Sequence, residues 1–123
     1  MANSNFQDLE VWNEGKDLAI QIFNIWQKID NKGYFSLQDQ MQRSALSIPS
    51  NIAEGSERKS ANEFMRYLYI AKGSTAELRT QLYIFGELEL SDSIDVNAIV
   101  EKTPVLSRKI SRLISAVSNS KPS

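Results

Sequence analysis

Ser47 to Ser60 reads SIPSNIAEGSERKS, and the fold turns on whether this stretch ends a helix or belongs to one. Ile48, Ile52 and Ala53 have the character of a buried helix, whereas Pro49, Asn51, Glu54 and Gly55 are residues such a helix normally avoids. Upstream, Leu37, Met41, Ala45, Ile48 and Ile52 step by four, four, three and four. That is the spacing of one helical face, and it crosses the proline without changing phase. The pattern predicts that Pro49 kinks a helix without ending it. That helix opens at Ser36, is capped near Gly55, and leaves Glu57 to Lys59 as the connection to the next.

Downstream, Ser60 with Glu63 three residues on has the form of a capping box, in which side chains satisfy the first free amides of a helix. Phe64, Tyr67, Leu68, Ala71, Thr75, Leu78, Leu82 and Phe85 then keep helical spacing over more than five turns. Upstream, Leu9, Trp12, Ala19, Ile22, Phe23, Trp26 and Ile29 mark a first helix on the order of 30 Å long, with Asn31, Lys32 and Gly33 as its stop signal. The last segment is ambiguous. Asp95 can cap a start at Val96, but Pro104 falls inside, where an uncompensated proline costs about 3 kcal/mol or more. Thr103 and Pro104 also suit a fresh cap and first-turn proline. A kink or break is expected there, followed by a packed face of Leu106, Ile110, Leu113 and Val117 and a frayed tail from about Asn119. With short connections, no strand-like alternation and no internal repeat, residues 1–123 are expected to form one domain. Its expected class is all-α, an antiparallel up-down-up-down four-helix bundle.

The chain has 123 residues, enough for one core without metals or disulfides, with 41% hydrophobic and 24% charged residues. It contains no cysteine and no histidine. A Ser-His-Asp triad, a cysteine nucleophile, a Cys/His zinc site and a histidine acid/base at neutral pH are thereby excluded. Carboxylate, lysine or tyrosine chemistry and an oxygen-ligand metal site remain open, but no phosphate-loop, dinucleotide or calcium motif is present. No cofactor is expected, and a lone buried carboxylate such as Glu54 reads as a paired structural group. No run reaches the roughly 18 apolar residues needed to cross a bilayer. The opening MANSNFQDLE lacks the basic and apolar regions of a signal peptide. The expected location is the cytoplasm, with no membrane partner.

Beside the apolar stripe of the second helix lies a polar one: Ser44, Ser47, Asn51, Glu54 and Arg58. Small hydroxyl and amide residues let another helix approach and offer hydrogen bonds, where a solvated face would favour Lys and Glu. The stripe is either incidental surface or a contact face, within the bundle or between chains. The third helix offers Lys72, Gly73, Ser74 and Glu77 as a counterpart. A mid-helix glycine costs about 1 kcal/mol relative to alanine, which suggests close packing at Gly73.

The run RSALSIPSNIAEGSERKSANEFMRYLYIAKGSTAELRTQL, Arg43 to Leu82, resembles the four-helix-bundle family encoded in intervening sequences of bacterial large-subunit ribosomal RNA genes. It is also similar to the related accessory protein of diversity-generating retroelements. FQDLEVW (Phe6 to Trp12) and YFSLQDQMQRSA (Tyr34 to Ala45) fit the same pattern, so the likeness covers about the first two-thirds of the chain. Beyond Gly86 it extends only to helical character. The resemblance implies a ring-like homopentamer without known enzymatic activity. For the retroelement relatives it implies a basic barrel that binds nucleic acid and a reverse transcriptase. The family motif falls on Arg43, Asn51, Glu54, Gly55, Arg58, Gly73, Ser74 and Glu77, and it implies a structural role in holding helices or subunits together.

Charge bears on the nucleic-acid expectation. Fourteen basic and fifteen acidic residues give a net charge of −1 and a pI near 5.5, without the positive excess usual in nucleic-acid modules. Residues 102–123, however, hold five basic and no acidic residues. Lys102, Arg108, Lys109, Arg112 and Lys121 are therefore a candidate patch for structured RNA or DNA; a solvated helix face with cations near its C-terminus is the plainer account of them. Two readings follow: a non-enzymatic oligomer associated with nucleic acid, or a self-assembling scaffold whose partner is another protein.

Overall fold

The computed structural model describes residues 5–120. After a short 3-10 turn at Phe6–Asp8, α1 spans Glu10–Gln27, α2 Phe35–Ser56, α3 Ala61–Glu87, α4 Val96–Val100 and α5 Lys102–Asn119. No strand occurs among the described residues. The protein is an all-α four-helix bundle whose fourth arm is divided into α4 and α5.

Pairings between helices give their directions. Lys102 reaches Gln21 while Lys109, seven residues on, reaches Glu14, seven residues back, so α1 and α5 run antiparallel. Ser47 meets Ser74 while Gly55 lies against Tyr67 and Phe64, so α2 and α3 do too. The helices form a ring of neighbours, α1 beside α2, α2 beside α3, α3 beside α5, and α5 back against α1. Ile22, Met41, Ile48, Ile52, Leu68, Leu78, Leu82 and Ile110 are completely buried at its centre, each worth roughly 1.5–3 kcal/mol of transfer free energy. Trp26 meets Phe85 edge to face at 5.4 Å.

The second helix runs unbroken through Pro49, with Ile48 and Ile52 in the core. A Cβ at Gly15 would lie 3.1 Å from Ile48 Cγ2 and 3.6 Å from Pro49 Cδ, so α1 crosses directly over the proline and shields the gap in the hydrogen-bond ladder. Several boundaries differ from the sequence expectation. The helix starts at Phe35, with Tyr34 as N-cap and no side-chain cap, so Ser36 lies inside it. Gly55 is also inside, and the C-cap is Glu57 in ordinary helical conformation. Glycine is needed at 55 for space: a Cβ there would fall 2.7 Å from Tyr67 Cβ and 3.3 Å from the Phe64 carbonyl oxygen. The first helix stops at Gln27, leaving Ile29 half-buried in a connection where Gly33 takes a positive φ of 86°.

Ser60 caps α3 by accepting from the Glu63 amide at 3.1 Å, and Asp95 caps α4 by accepting from Ala98 at 3.1 Å. The expected break falls at Glu101, three residues ahead of Pro104. Pro104 cannot donate to the carbonyl four residues back, Val100. The buried Thr103 hydroxyl donates to that oxygen instead, at 2.6 Å. Along α5 the inward residues are Leu106, Ile110, Ile114 and Val117, with Leu113 half-buried at the edge. The helix reaches Asn119 with Ser120 as its cap, and the rest of the expected frayed tail lies outside the described residues.

Candidate functional site

The polar stripe of α2 resolves into two clusters. In the first, the Ser47 and Ser74 hydroxyls share a hydrogen bond of 2.7 Å across the α2–α3 contact. Asn51 Nδ2 donates to the Ser47 carbonyl at 2.8 Å and to its hydroxyl at 2.9 Å. Buried Ser44 lies one turn back on the same helix. Small side chains let the two helices close, and the hydroxyls and amide answer one another inside one chain.

In the second cluster, Arg58 Nη2 donates to Glu54 Oε2 at 2.7 Å and to the Tyr67 hydroxyl at 2.8 Å. Its guanidinium lies 5.0 Å from the Tyr67 ring centre, and that of Arg66 lies 4.6 Å from it. The hydrogen bond to Glu54, helped by the charge of Tyr67, raises the pKa of Arg58 above its already high value. Glu54 is exposed, which corrects its reading as a buried carboxylate. The sequence reading placed Tyr67 among the core stripe and missed its hydroxyl as the partner of Arg58.

The remaining motif residues do not join these clusters. Arg43 pairs with Asp39 at 3.0 Å, one turn back on its own helix. Glu77 is exposed. Gly73 faces open space, with no atom within 4 Å of a built Cβ, so the expected close packing at this glycine is absent within the chain.

The C-terminal cations are divided among different surroundings. Lys109 Nζ lies 2.7 Å from Glu14 Oε2 and 3.4 Å from Glu10 Oε1. Its pKa is raised, chiefly by the hydrogen bond to Glu14. Lys102 donates to Gln21 Oε1 at 3.0 Å and lines a cleft of about 370 Å³ with Glu14, Asp17 and Glu101. These two lysines sit on a seam of mixed sign between α1 and α5. Arg112 borders the start of α1 with Leu9 and Glu10, whereas Arg108 borders α3 beside Arg79. The candidate patch is therefore not one surface: Lys102 and Lys109 are engaged on the α1 side, whereas Arg108 reaches the groove beside α3. Lys121 lies outside the described residues.

Two groups of exposed apolar side chains escaped the sequence reading, which counted only positions in phase with the core. Ile20 (52% exposed) and Leu46 (49%) line a cleft of about 230 Å³ on the α1–α2 face together with Phe23 and Ala19. At the end of α3, Ile84 (48%) and the C-cap Leu88 (41%) lie outward one turn apart, and Ile70 (41%) lies on the same flank about 21 Å away. Among the described residues no group of three or more acidic side chains gathers as a metal site. No described helix is long and apolar enough to cross a membrane.

Fold and surface together define a small all-α bundle protein with polar seams between its helices and apolar patches outside them. The model of the 23S rRNA-intervening sequence protein family matches residues 7–112, and the chain belongs to that family. Among solved structures, it is similar to a protein of unknown function from the S23 ribosomal protein family of Bacteroides thetaiotaomicron VPI-5482. The identity is 23%, the TM-score is 0.77, and the match covers 85% of this chain and 97% of the other. That likeness establishes the fold. No match was found among curated proteins, and no catalytic family is indicated.

Proposed function

We propose that the protein is a non-enzymatic, self-assembling module of the cytoplasm whose copies join head to tail into a closed ring, a homopentamer. The carrying observation is the pair of unlike apolar patches, Ile20 with Leu46 on α1–α2 and Ile84 with Leu88 at the C-terminal end of α3. Exposed apolar groups gathered in patches mark interaction surfaces. Two different patches on one chain suit a heterologous contact, which closes into a ring when the rotation per subunit allows. The open space at Gly73, on the same helix, leaves room for a neighbouring helix to approach.

Light scattering tests the ring, with an expected mass of five times 13.9 kDa. Leu46→Glu and Ile84→Glu should each dissolve it. Mixing the two variants should restore a single good interface and give a dimer, the signature of a head-to-tail contact. A monomeric wild-type protein at micromolar concentration overturns the proposal. Nucleic-acid association is the second reading, and the specific observation that favours it is the placement of Arg108 beside Arg79.

A further inference from the structure

Tyr69, Lys72, Ala76, Arg79 and Tyr83 recur at intervals of three, four, three and four along α3, which places them on one flank of that helix. Ala76 and Arg79 from this flank line the groove against α5, where Arg108 and Ser107 join them, in a cleft of about 250 Å³. No carboxylate lines that cleft, whereas beyond Tyr83 the flank ends at a second cleft lined by Glu87, Glu89, Asp92 and Asp95, so the surface open to an anionic strand runs from Tyr83 toward Tyr69. Among the described residues neither Lys72, Arg79 nor Arg108 has an acidic partner within ion-pair distance, in contrast to Arg43, Arg58 and Lys109. Tyr69 is 58% exposed and Tyr83 51%. The Arg79 guanidinium lies 5.7 Å from the Tyr83 ring centre, and its Nη2 donates to the Tyr83 hydroxyl at 3.3 Å.

Cations without counterions beside exposed aromatic rings are the elements of a surface for single-stranded nucleic acid, in which phosphates meet the charges and bases stack on the rings. Fourteen residues of helix separate the two tyrosines, about 21 Å at 1.5 Å per residue, so the surface extends along a strand of several nucleotides. An acidic peptide would meet the same charges. The flank gives it no apolar pocket, however, because the floor between the tyrosines is Ala76 and the aliphatic residues Ile70, Ile84 and Leu88 lie on the opposite flank of α3. Flat aromatic faces with an open floor favour bases over side chains.

We propose that the α3–α5 groove binds single-stranded RNA or DNA without sequence preference, with Lys72, Arg79 and Arg108 on phosphates and Tyr69 and Tyr83 stacked on bases. The site belongs to each chain and does not depend on the ring.

Fluorescence anisotropy with a labelled single-stranded 20-mer, in RNA and DNA forms, titrated at about 50 mM salt and upward tests the proposal. The double change Arg79→Gln with Arg108→Gln should weaken binding at least tenfold and flatten the salt dependence, by roughly 0.7 in log–log slope for each lost phosphate contact. Tyr83→Leu should weaken binding about tenfold while leaving that slope unchanged. Lys102→Gln, on the α1 side of α5, should bind as the wild type does. Absence of binding at about 50 mM salt overturns the proposal. So does an equal loss in Lys102→Gln, equal affinity for duplex, or competition by polyglutamate as effective as by RNA. Light scattering on the same samples keeps the two proposals separable, since a monomer that binds the strand refutes the ring alone.

Discussion

Gly55 on α2 sits against Tyr67 on α3 so closely that a methyl group at Gly55 would lie 2.7 Å from the Tyr67 Cβ. The obstructing atom is fixed to the backbone, so a side chain at 55 must push the two helices apart. Gly55→Ala is expected to lower stability by about 1–3 kcal/mol, although alanine is the better helix former by about 1 kcal/mol. Gly73→Ala has free space and is expected to leave the fold intact or raise its stability by up to about 1 kcal/mol. Urea denaturation of both variants checks the contrast, and equal effects of the two changes would refute it.

Thr103 and Pro104 act as a unit, because the threonine hydroxyl occupies the carbonyl of Val100 that the proline cannot reach. Thr103→Val leaves a buried carbonyl unanswered and is expected to cost about 1–3 kcal/mol. Adding Pro104→Ala returns an amide to that oxygen, so the double variant should recover much of the loss. A double variant less stable than Thr103→Val would show that the hydroxyl has another role.

The ion pair of Lys109 with Glu14 gives a pH signature. Its folded-state pKa is raised above the ordinary 10.5, so the stabilisation is complete below that value and drains away as pH climbs through the folded-state pKa. Lys109→Met should therefore melt below the wild type near neutral pH, with the gap narrowing above about pH 10.5. Thermal melts across the alkaline range measure this, and a constant gap would mean that the variant acts through packing alone.

The helices and their order were legible in the sequence because the apolar stripes through Met41–Ile52 and Phe64–Phe85 keep phase, and phase survives a proline. Helix ends were less legible. Gly55 has the composition of a terminator, yet its role is steric and depends on Tyr67, a residue of another helix. The Ser47–Asn51–Ser74 seam could be anticipated as a small polar face, since its residues share one side of each helix. The basic patch could not, since net charge along a sequence does not say which flank of a helix a side chain occupies. Arg108 and Lys109 are adjacent in sequence and face opposite neighbours, α3 and α1. The apolar groups at Leu46 and Ile84 went unread because they fall between the stripes.

The closed ring of helices described above also sets the order in which the molecule can form. Three of its four sides join helices that follow one another along the chain, and such local contacts form quickly because little loop entropy is lost in making them. The side between α1 and α5 joins the two extremes of the described chain and closes last. Interactions along it, Lys109 with Glu14 and Lys102 with Gln21, are accordingly expected to form after the rate-limiting state for folding and to act on the rate of unfolding. Their removal should shorten the lifetime of the folded molecule while leaving the speed at which it is made almost unchanged.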